Sequence, residues 1–84
     1  MIAVSDAFIC YAIKDGHIRG INRQSVQRTL LKGHKKPVID MAFARRSTCI
    51  LASLGGDGSF FMWTIGENPA DKSLTSVPLL SVTN

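Results

Sequence analysis

Residues 33–63, GHKKPVIDMAFARRSTCILASLGGDGSFFMW, decide the fold of this chain. Counted from His34, Ser53 follows after 19 residues, Asp57 after 23 and Trp63 after 29. Each of the four side chains is costly to bury alone, yet together they offer matched hydrogen-bond donors and acceptors.

Turn signals divide the chain into short apolar runs, which are rich in Ile, Val, Phe, Tyr and Thr. None of the runs has the length and the 3.6-residue period of a helix, so the pattern predicts an all-β meander. The predicted strands cover residues 8–13, 17–21, 29–32, 38–44, 49–54 and 59–65, with a candidate last strand at 79–82.

A shift of 42 residues lays Asp15-Gly16 on Asp57-Gly58. An internal repeat of about 40 to 45 residues, with four strands in each unit, is typical of a propeller blade. The second copy resembles a WD40 repeat throughout, since Gly33 and His34 precede the innermost strand and Trp63 ends the third strand. The resemblance implies a WD40-type β-propeller fragment of about one complete four-stranded blade plus part of a second. It also implies a buried polar relay in the complete blade, in which Asp57 accepts from His34, His34 pairs with Ser53, and Ser53 accepts from Trp63.

The first copy is degenerate. Ile21 stands in the position of Trp63, Tyr11 stands in the position of Ser53, and we expect the innermost strand to be missing. The predicted organisation is a partial degenerate blade over residues 1–32, a WD40 repeat with the complete constellation over 33–66, and a polar loop with a candidate outer strand over 67–84.

Glycines at two positions have a predicted backbone role. Gly58 supplies the positive φ of a tight hairpin turn, and Gly33 allows a close approach to the innermost strand. Two features make the blade less regular than most: Thr64 replaces the usual Asp after Trp63, and Gly55-Gly56 is expected to loosen the approach to Asp57.

Two chemical alternatives use some of the same residues. His34, Asp57 and Ser53 could form a catalytic triad, but no nucleophile elbow or oxyanion-hole motif accompanies them. A metal site from Cys10, Cys49, His17 and His34 is less favoured, because no two of these share a zinc-ligand spacing. We predict no catalytic residue, no metal and no cofactor.

Composition and the amino-terminal sequence restrict the class of protein and its location further. The 84 residues carry a formal charge of +4, with 45% hydrophobic and 19% charged residues, which is ordinary for a globular domain. The amino terminus lacks the pattern of a signal peptide, and no apolar run reaches the 18 or so residues needed to span a membrane. Cys10 and Cys49 lie in apolar runs, as reduced core thiols do. These features predict a soluble intracellular protein.

The segment from Ile2 to Ile65 also resembles the WD40-bearing scaffold family called enhancer of mRNA decapping. The strings that carry the resemblance are Ile2 to Ser5, Tyr11 to Ile13, Arg28 to Gly33, Asp40 to Ala44, and Gly58 with Phe61 and Trp63. The resemblance implies a non-catalytic protein-interaction scaffold of the cytoplasm, present in processing bodies. Its implied partners are the decapping enzyme and its activator, and further blades are expected from a longer chain.

Partner contacts would use the loops and strand ends. Lys35 and Lys36 are predicted either on a rim of the propeller where partners usually bind or as solvated loop residues. Asp40 is predicted either to line the central channel or to be a solvated residue at the strand end. Arg23, Arg45 and Arg46 fall on the opposite rim, so no single phosphate-binding stripe forms, and direct RNA contact is the weaker alternative. The other alternative is a WD40 module of another assembly, such as a ligase adaptor or a trafficking coat.

The isolated chain is expected to fold poorly or to self-associate. Repeat architectures generally need three or more units, because each unit buries its faces against its neighbours. Fewer than two blades would leave two broad apolar faces open, and exposed apolar areas of that size mark interaction sites or aggregation hazards.

Overall fold

The computed structural model of the chain describes residues 1–45, 49–67 and 74–82. These residues form two four-stranded sheets, each a simple antiparallel meander. The first sheet contains β1 (Ile2–Val4), β2 (Phe8–Ala12), β3 (Ile18–Asn22) and β4 (Arg28–Leu31). The second sheet contains β5 (Val38–Phe43), β6 (Ile50–Gly55), β7 (Phe60–Glu67) and β8 (Leu74–Val82). The predicted all-β architecture of WD40 blades is confirmed.

The first copy does have an innermost strand, and the expectation that it is missing was wrong. β1 pairs antiparallel with β2, with Ala3 opposite Cys10. It has only three residues, too few to show a period-2 pattern against the surrounding sequence. Its strand conformation therefore comes from pairing with β2, which tertiary structure supplies.

The outer strand of the second sheet is longer than predicted. β8 begins at Leu74, which is buried, whereas the candidate strand started at residue 79. Pro78 lies opposite Trp63, where the β7–β8 register shifts between Met62 and Trp63. Proline is tolerated at such an irregularity of an edge strand because it cannot donate a ladder hydrogen bond.

The core lies between the two sheets. Side chains alternate along the strands, so that Phe61, Trp63 and Ile65 of β7 are buried while Met62 and Thr64 are half-buried. The innermost strands β1 and β5 contact each other, as do the outermost strands β4 and β8. The two blades thus pack face to face around the buried residues Ala3, Phe8, Cys10, Ile18, Leu31, Val38, Met41, Leu51, Phe61, Trp63, Ile65 and Leu74.

The turn between β2 and β3 links the first blade to the second. Asp15 has φ 65° and Gly16 has φ 80°, the pair of left-handed residues that a type I′ turn requires. A Cβ atom on Gly16 would lie 2.5 Å from the backbone oxygens of both His34 and Lys36. Glycine is therefore needed here both for its φ and for the close approach of the loop that leads into β5.

Cysteine placement agrees in part with the sequence prediction. Cys10 is fully buried, and burial raises the pKa of its thiol to about 12. Cys49 is only half-buried and packs against the margin of the core. Within the described residues, no helix is both long enough and apolar enough to span a bilayer.

Candidate functional site

A chain of buried hydrogen bonds connects β6 and β7 of the second blade to the loop before β5. His34 Nε2 lies 2.7 Å from Ser53 Oγ, and Trp63 Nε1 donates to the same oxygen at 2.9 Å. His34 lies in the loop before β5, Ser53 in β6 and Trp63 in β7. The exposed fractions of these three side chains are only 4%, 1% and 2%, so the bonds are screened from water.

The link to Asp57 includes a residue that the sequence analysis did not assign. Ser59 Oγ lies 2.7 Å from His34 Nδ1 and donates to Asp57 Oδ1, also at 2.7 Å. The predicted pairing of Asp57 with His34 thus runs through a hydroxyl. We call His34, Ser53, Asp57, Ser59 and Trp63 together the polar relay.

Proton counting fixes the direction of every bond in the polar relay. Ser59 has one hydroxyl proton and gives it to Asp57, so its oxygen accepts from His34 and Nδ1 carries a proton. In neutral imidazole Nε2 is then the acceptor, and Ser53 donates to it. Donation therefore runs one way from the indole to the carboxylate, an order in which successive bonds polarise and strengthen one another.

Aromatic rings pack against the polar relay and exclude water from it. The rings of His34 and Phe61 meet edge to face with centroids 4.7 Å apart, and those of Phe61 and Trp63 stack at 5.1 Å. A Cβ atom on Gly33 would lie 2.9 Å from the Phe61 ring and 3.0 Å from the Trp63 ring. The predicted close approach at Gly33 is thus an approach to these two rings.

Gly55 gives the polar relay its space, and the expectation that Gly55-Gly56 loosens this region was wrong for Gly55. A Cβ atom there would lie 2.7 Å from His34 Nδ1, 2.7 Å from Ser59 Oγ and 2.9 Å from Asp57 Oδ1. A Cβ atom on Gly56 would meet nothing nearer than 3.5 Å. Gly55 is buried and Gly56 exposed, so only Gly55 is required by the packing.

The turn that carries Asp57 orients its carboxylate toward Ser59. Gly58 has φ 86°, as predicted for this position. Asp57 Oδ1 accepts from the Ser59 backbone N–H at 3.1 Å as well as from its hydroxyl. These two hydrogen bonds are the main reason that the pKa of Asp57 is lowered from its usual 3.8.

Burial holds His34 neutral. Desolvation lowers its pKa from the usual 6.5, and the negative charge of Asp57 offsets part of this effect. Neutral imidazole is also the form that the directed hydrogen bonds require, because protonated His34 could not accept from Ser53.

The polar relay should make the fold sensitive to acid. Below pH 6.5, the ordinary pKa of histidine, His34 takes up a proton in the unfolded chain before it does so in the folded one. The unfolded state then binds more protons, so stability falls as the pH drops from 6.5 toward the folded pKa. The lowered pKa of Asp57 acts in the same direction below pH 3.8. Urea unfolding measured between pH 5 and pH 8 should show this loss.

His17 offers the matched control for this acid sensitivity. His17→Gln leaves the polar relay intact, so we expect the loss of stability below pH 6.5 to persist. In His34→Gln the pH profile should be flatter over the same interval. Equal slopes in the parent and His34→Gln would contradict the assignment of the acid sensitivity to His34.

The two chemical alternatives have no geometric support. Ser53 resembles a triad serine in its contact with His34, but its side chain is 1% exposed and its oxygen already binds the Trp63 indole. A substrate carbonyl could not reach it without opening the core. Among the described residues, no three His, Cys, Asp or Glu side chains come together as a metal ion would require.

The candidate partner residues fall on different parts of the surface. Lys35 and Lys36 are exposed in the loop before β5, which also packs on the β2–β3 turn and so shares a rim with the exposed Lys14. Asp40 lies in β5 on the face of the second sheet that points away from the core. The structure therefore does not place Asp40 in the same loop surface as the two lysines.

Basic residues on the opposite rim remain separate from these lysines. Arg23 follows β3, where its Nη1 donates to the Ser5 carbonyl at 2.9 Å, and Arg45 follows β5. Arg46 lies outside the described residues. In an antiparallel meander these positions lie at the far ends of the strands from Lys35 and Lys36.

The fold and the polar relay define the class. The second sheet is a four-stranded antiparallel meander with four further features of a WD40 blade. It has a Gly-His before its first strand, a hydroxyl residue in the second strand, an Asp-Gly turn, and a Trp in the third strand. The family model for the WD40 region of Ge1, enhancer of mRNA-decapping protein, matches residues 1–83. The chain belongs to this family.

Similar proteins bear the same name in several vertebrates. Enhancer of mRNA-decapping protein 4 of Homo sapiens and that of Mus musculus are each 39% identical to the chain over an alignment of 70 residues, and the match covers 77% of this chain. The protein of Danio rerio is 35% identical over 69 residues. The chain spans 5% of the length of these relatives. No solved structure matches it significantly.

Sequence reasoning missed Ser59 and misjudged Gly55. A signal for Ser59 was present, since a hydroxyl residue directly after Asp-Gly can bond back to the aspartate. For Gly55 the sequence held no signal, because its role depends on three side chains that converge from the loop before β5 and from the β6–β7 turn.

Proposed function

We propose that the chain works as a non-catalytic protein-interaction module of a cytoplasmic decapping scaffold, one that helps to bring the decapping enzyme and its activator together in processing bodies. The match of residues 1–83 to the WD40 region of an enhancer of mRNA decapping carries the proposal. The chemistry of the second blade supports it. His34 and Ser53 are buried and bonded to each other, and the half-buried Asp57 is bonded to Ser59, an arrangement that serves stability rather than turnover.

Co-purification from cells tests the proposal. The protein, tagged and expressed in its own cells, should recover the decapping enzyme and its activator, and its fluorescence should coincide with processing bodies. Recovery of ligase subunits or coat proteins in place of decapping factors would assign the module to another assembly.

Charge reversal then maps the surface. Lys35→Glu and Lys36→Glu each change one exposed charge in the loop before β5, and each should reduce recovery of the decapping factors. Arg45→Glu is the matched control, because it makes the same change in charge on the opposite rim. Equal loss in all three variants would show that overall charge, rather than this loop, governs the interaction.

A further inference from the structure

Exposed lysines lie together on one rim of the two blades, where the β2–β3 turn meets the loop before β5. The turn contributes Lys14, and the loop contributes Lys32, Lys35 and Lys36. The part of the chain that the structure describes has no other lysine. Among the described residues, no side chain or carbonyl pairs with any of these four ammonium groups. We call these four residues the lysine rim.

The loop that carries three of these lysines is anchored on both sides of its adjacent pair. The ring of His34, one residue before Lys35, is buried and bonded in the polar relay. The carbonyl of Pro37, one residue after Lys36, accepts from the Gly56 backbone N–H at 2.9 Å. The backbone between these anchors is therefore already ordered, so a ligand would not have to supply the free energy of ordering it.

The turn that carries Lys14 packs against the same loop. A Cβ atom on Gly16 would lie 2.5 Å from the backbone oxygens of both His34 and Lys36, so the two stretches of backbone are in direct contact. The turn belongs to the first sheet, and the loop leads into the second. The lysine rim is therefore one surface that crosses the boundary between the two blades.

Negative charge at this rim is too small to neutralise the lysines. The described loops at this end of the strands contain two carboxylates, Asp15 and Asp57. Asp57 is directed toward the polar relay, since its Oδ1 accepts from both the backbone N–H and the hydroxyl of Ser59. Ammonium groups held near one another without partners repel, and an anionic ligand would relieve that repulsion.

The residue types at this rim favour carboxylates over the phosphates of RNA. The loops at residues 13–17, 32–37 and 56–59 contain no arginine, the side chain best suited to bidentate phosphate contacts. They also contain no Phe, Tyr or Trp on which a base could stack. Lysine acts as a compact point charge, which suits the single carboxylates of an acidic peptide segment.

We propose that the lysine rim binds an acidic segment of a protein partner, whose carboxylates contact Lys14 of the first blade together with Lys35 and Lys36 of the second. This proposal rests on the function proposed above, a protein-interaction module, and adds the chemistry of the partner. Charge complementarity of this kind selects the partner and speeds its association.

A labelled peptide of consecutive glutamates is the direct probe. Fluorescence anisotropy with the purified full-length protein should show binding at low ionic strength. The affinity should fall as salt is added, because exposed charges are screened. Single-stranded oligouridylate of similar charge should bind more weakly. Tighter binding of oligouridylate, lost in the same lysine variants, would overturn the assignment to an acidic protein segment.

Lys14→Glu is the decisive variant, because it tests whether the first blade contributes to the same surface. Lys14→Glu and Lys36→Glu should each weaken peptide binding by about three- to tenfold at low ionic strength. Lys14→Arg keeps the charge and should bind as the parent does. Arg45→Glu is the matched control, since it makes the same change in charge at an exposed position on the opposite rim and should leave the affinity unchanged.

Two results would overturn the proposal. One is an affinity for the glutamate peptide that Lys14→Glu leaves unchanged, and the other is an equal loss in Arg45→Glu. The substituted side chains are exposed, and a urea midpoint equal to that of the parent would show that each variant is folded. Recovery of decapping factors by a protein that does not bind the peptide would refute this proposal alone. Peptide binding without recovery of those factors would refute only the decapping role.

Discussion

Gly55→Ala is expected to destabilise the second sheet by about 3 kcal/mol or more. The new methyl group would lie 2.7 Å from both His34 Nδ1 and Ser59 Oγ, closer than such atoms can approach. These atoms cannot give way without breaking the hydrogen bond between them, which would leave buried polar groups unpaired. Urea unfolding at fixed protein concentration, which keeps self-association constant, measures the effect.

The neighbouring glycine supplies the control for this change. At Gly56 the same methyl group would meet nothing nearer than 3.5 Å, which is ordinary van der Waals contact, and neither glycine has a positive φ. Gly56→Ala should therefore unfold at nearly the urea concentration of the parent. Similar losses at both positions would mean that backbone freedom in this segment, rather than the space at the polar relay, explains the requirement for glycine.

Ser53→Ala is the second large effect, at about 2 to 4 kcal/mol. Removing one oxygen leaves both the Trp63 indole N–H and His34 Nε2 without their partner in a site that is closed to water. Ser81→Ala makes the same chemical change on an exposed side chain of β8 and should have little effect. The rate of amide hydrogen exchange in β6 and β7 should rise in Ser53→Ala and stay unchanged in Ser81→Ala.

A double-mutant cycle separates the polar relay from simple packing. With Trp63→Phe already in place, the indole donor is gone, so Ser53→Ala should cost less than it does in the parent. Purely additive losses for the two substitutions would show that the Ser53–Trp63 hydrogen bond contributes nothing of its own to stability.

Sequence reasoning worked best where a residue type leaves few structural options. An Asp-Gly pair between two apolar runs specifies a tight turn, and both such turns formed with left-handed glycines at Gly16 and Gly58. A short continuous run of large apolar residues within residues 59–65 predicted a strand, and β7 covers residues 60–65 of it. Strand ends were less certain, because the ends of β8 and the existence of β1 depend on the strands beside them.

The sequence by itself determined the blade class, the strand order of the second sheet and the four residues His34, Ser53, Asp57 and Trp63, since their types and spacing admit few other uses. Only the tertiary structure decided that Ser59 links His34 to Asp57 and that Gly55 leaves room for the link. The reason is geometric. Whether the Ser59 hydroxyl reaches both His34 and Asp57 depends on the turn dihedrals and on how closely the loop before β5 approaches the β6–β7 turn. These are properties of the packed chain rather than of any local pattern.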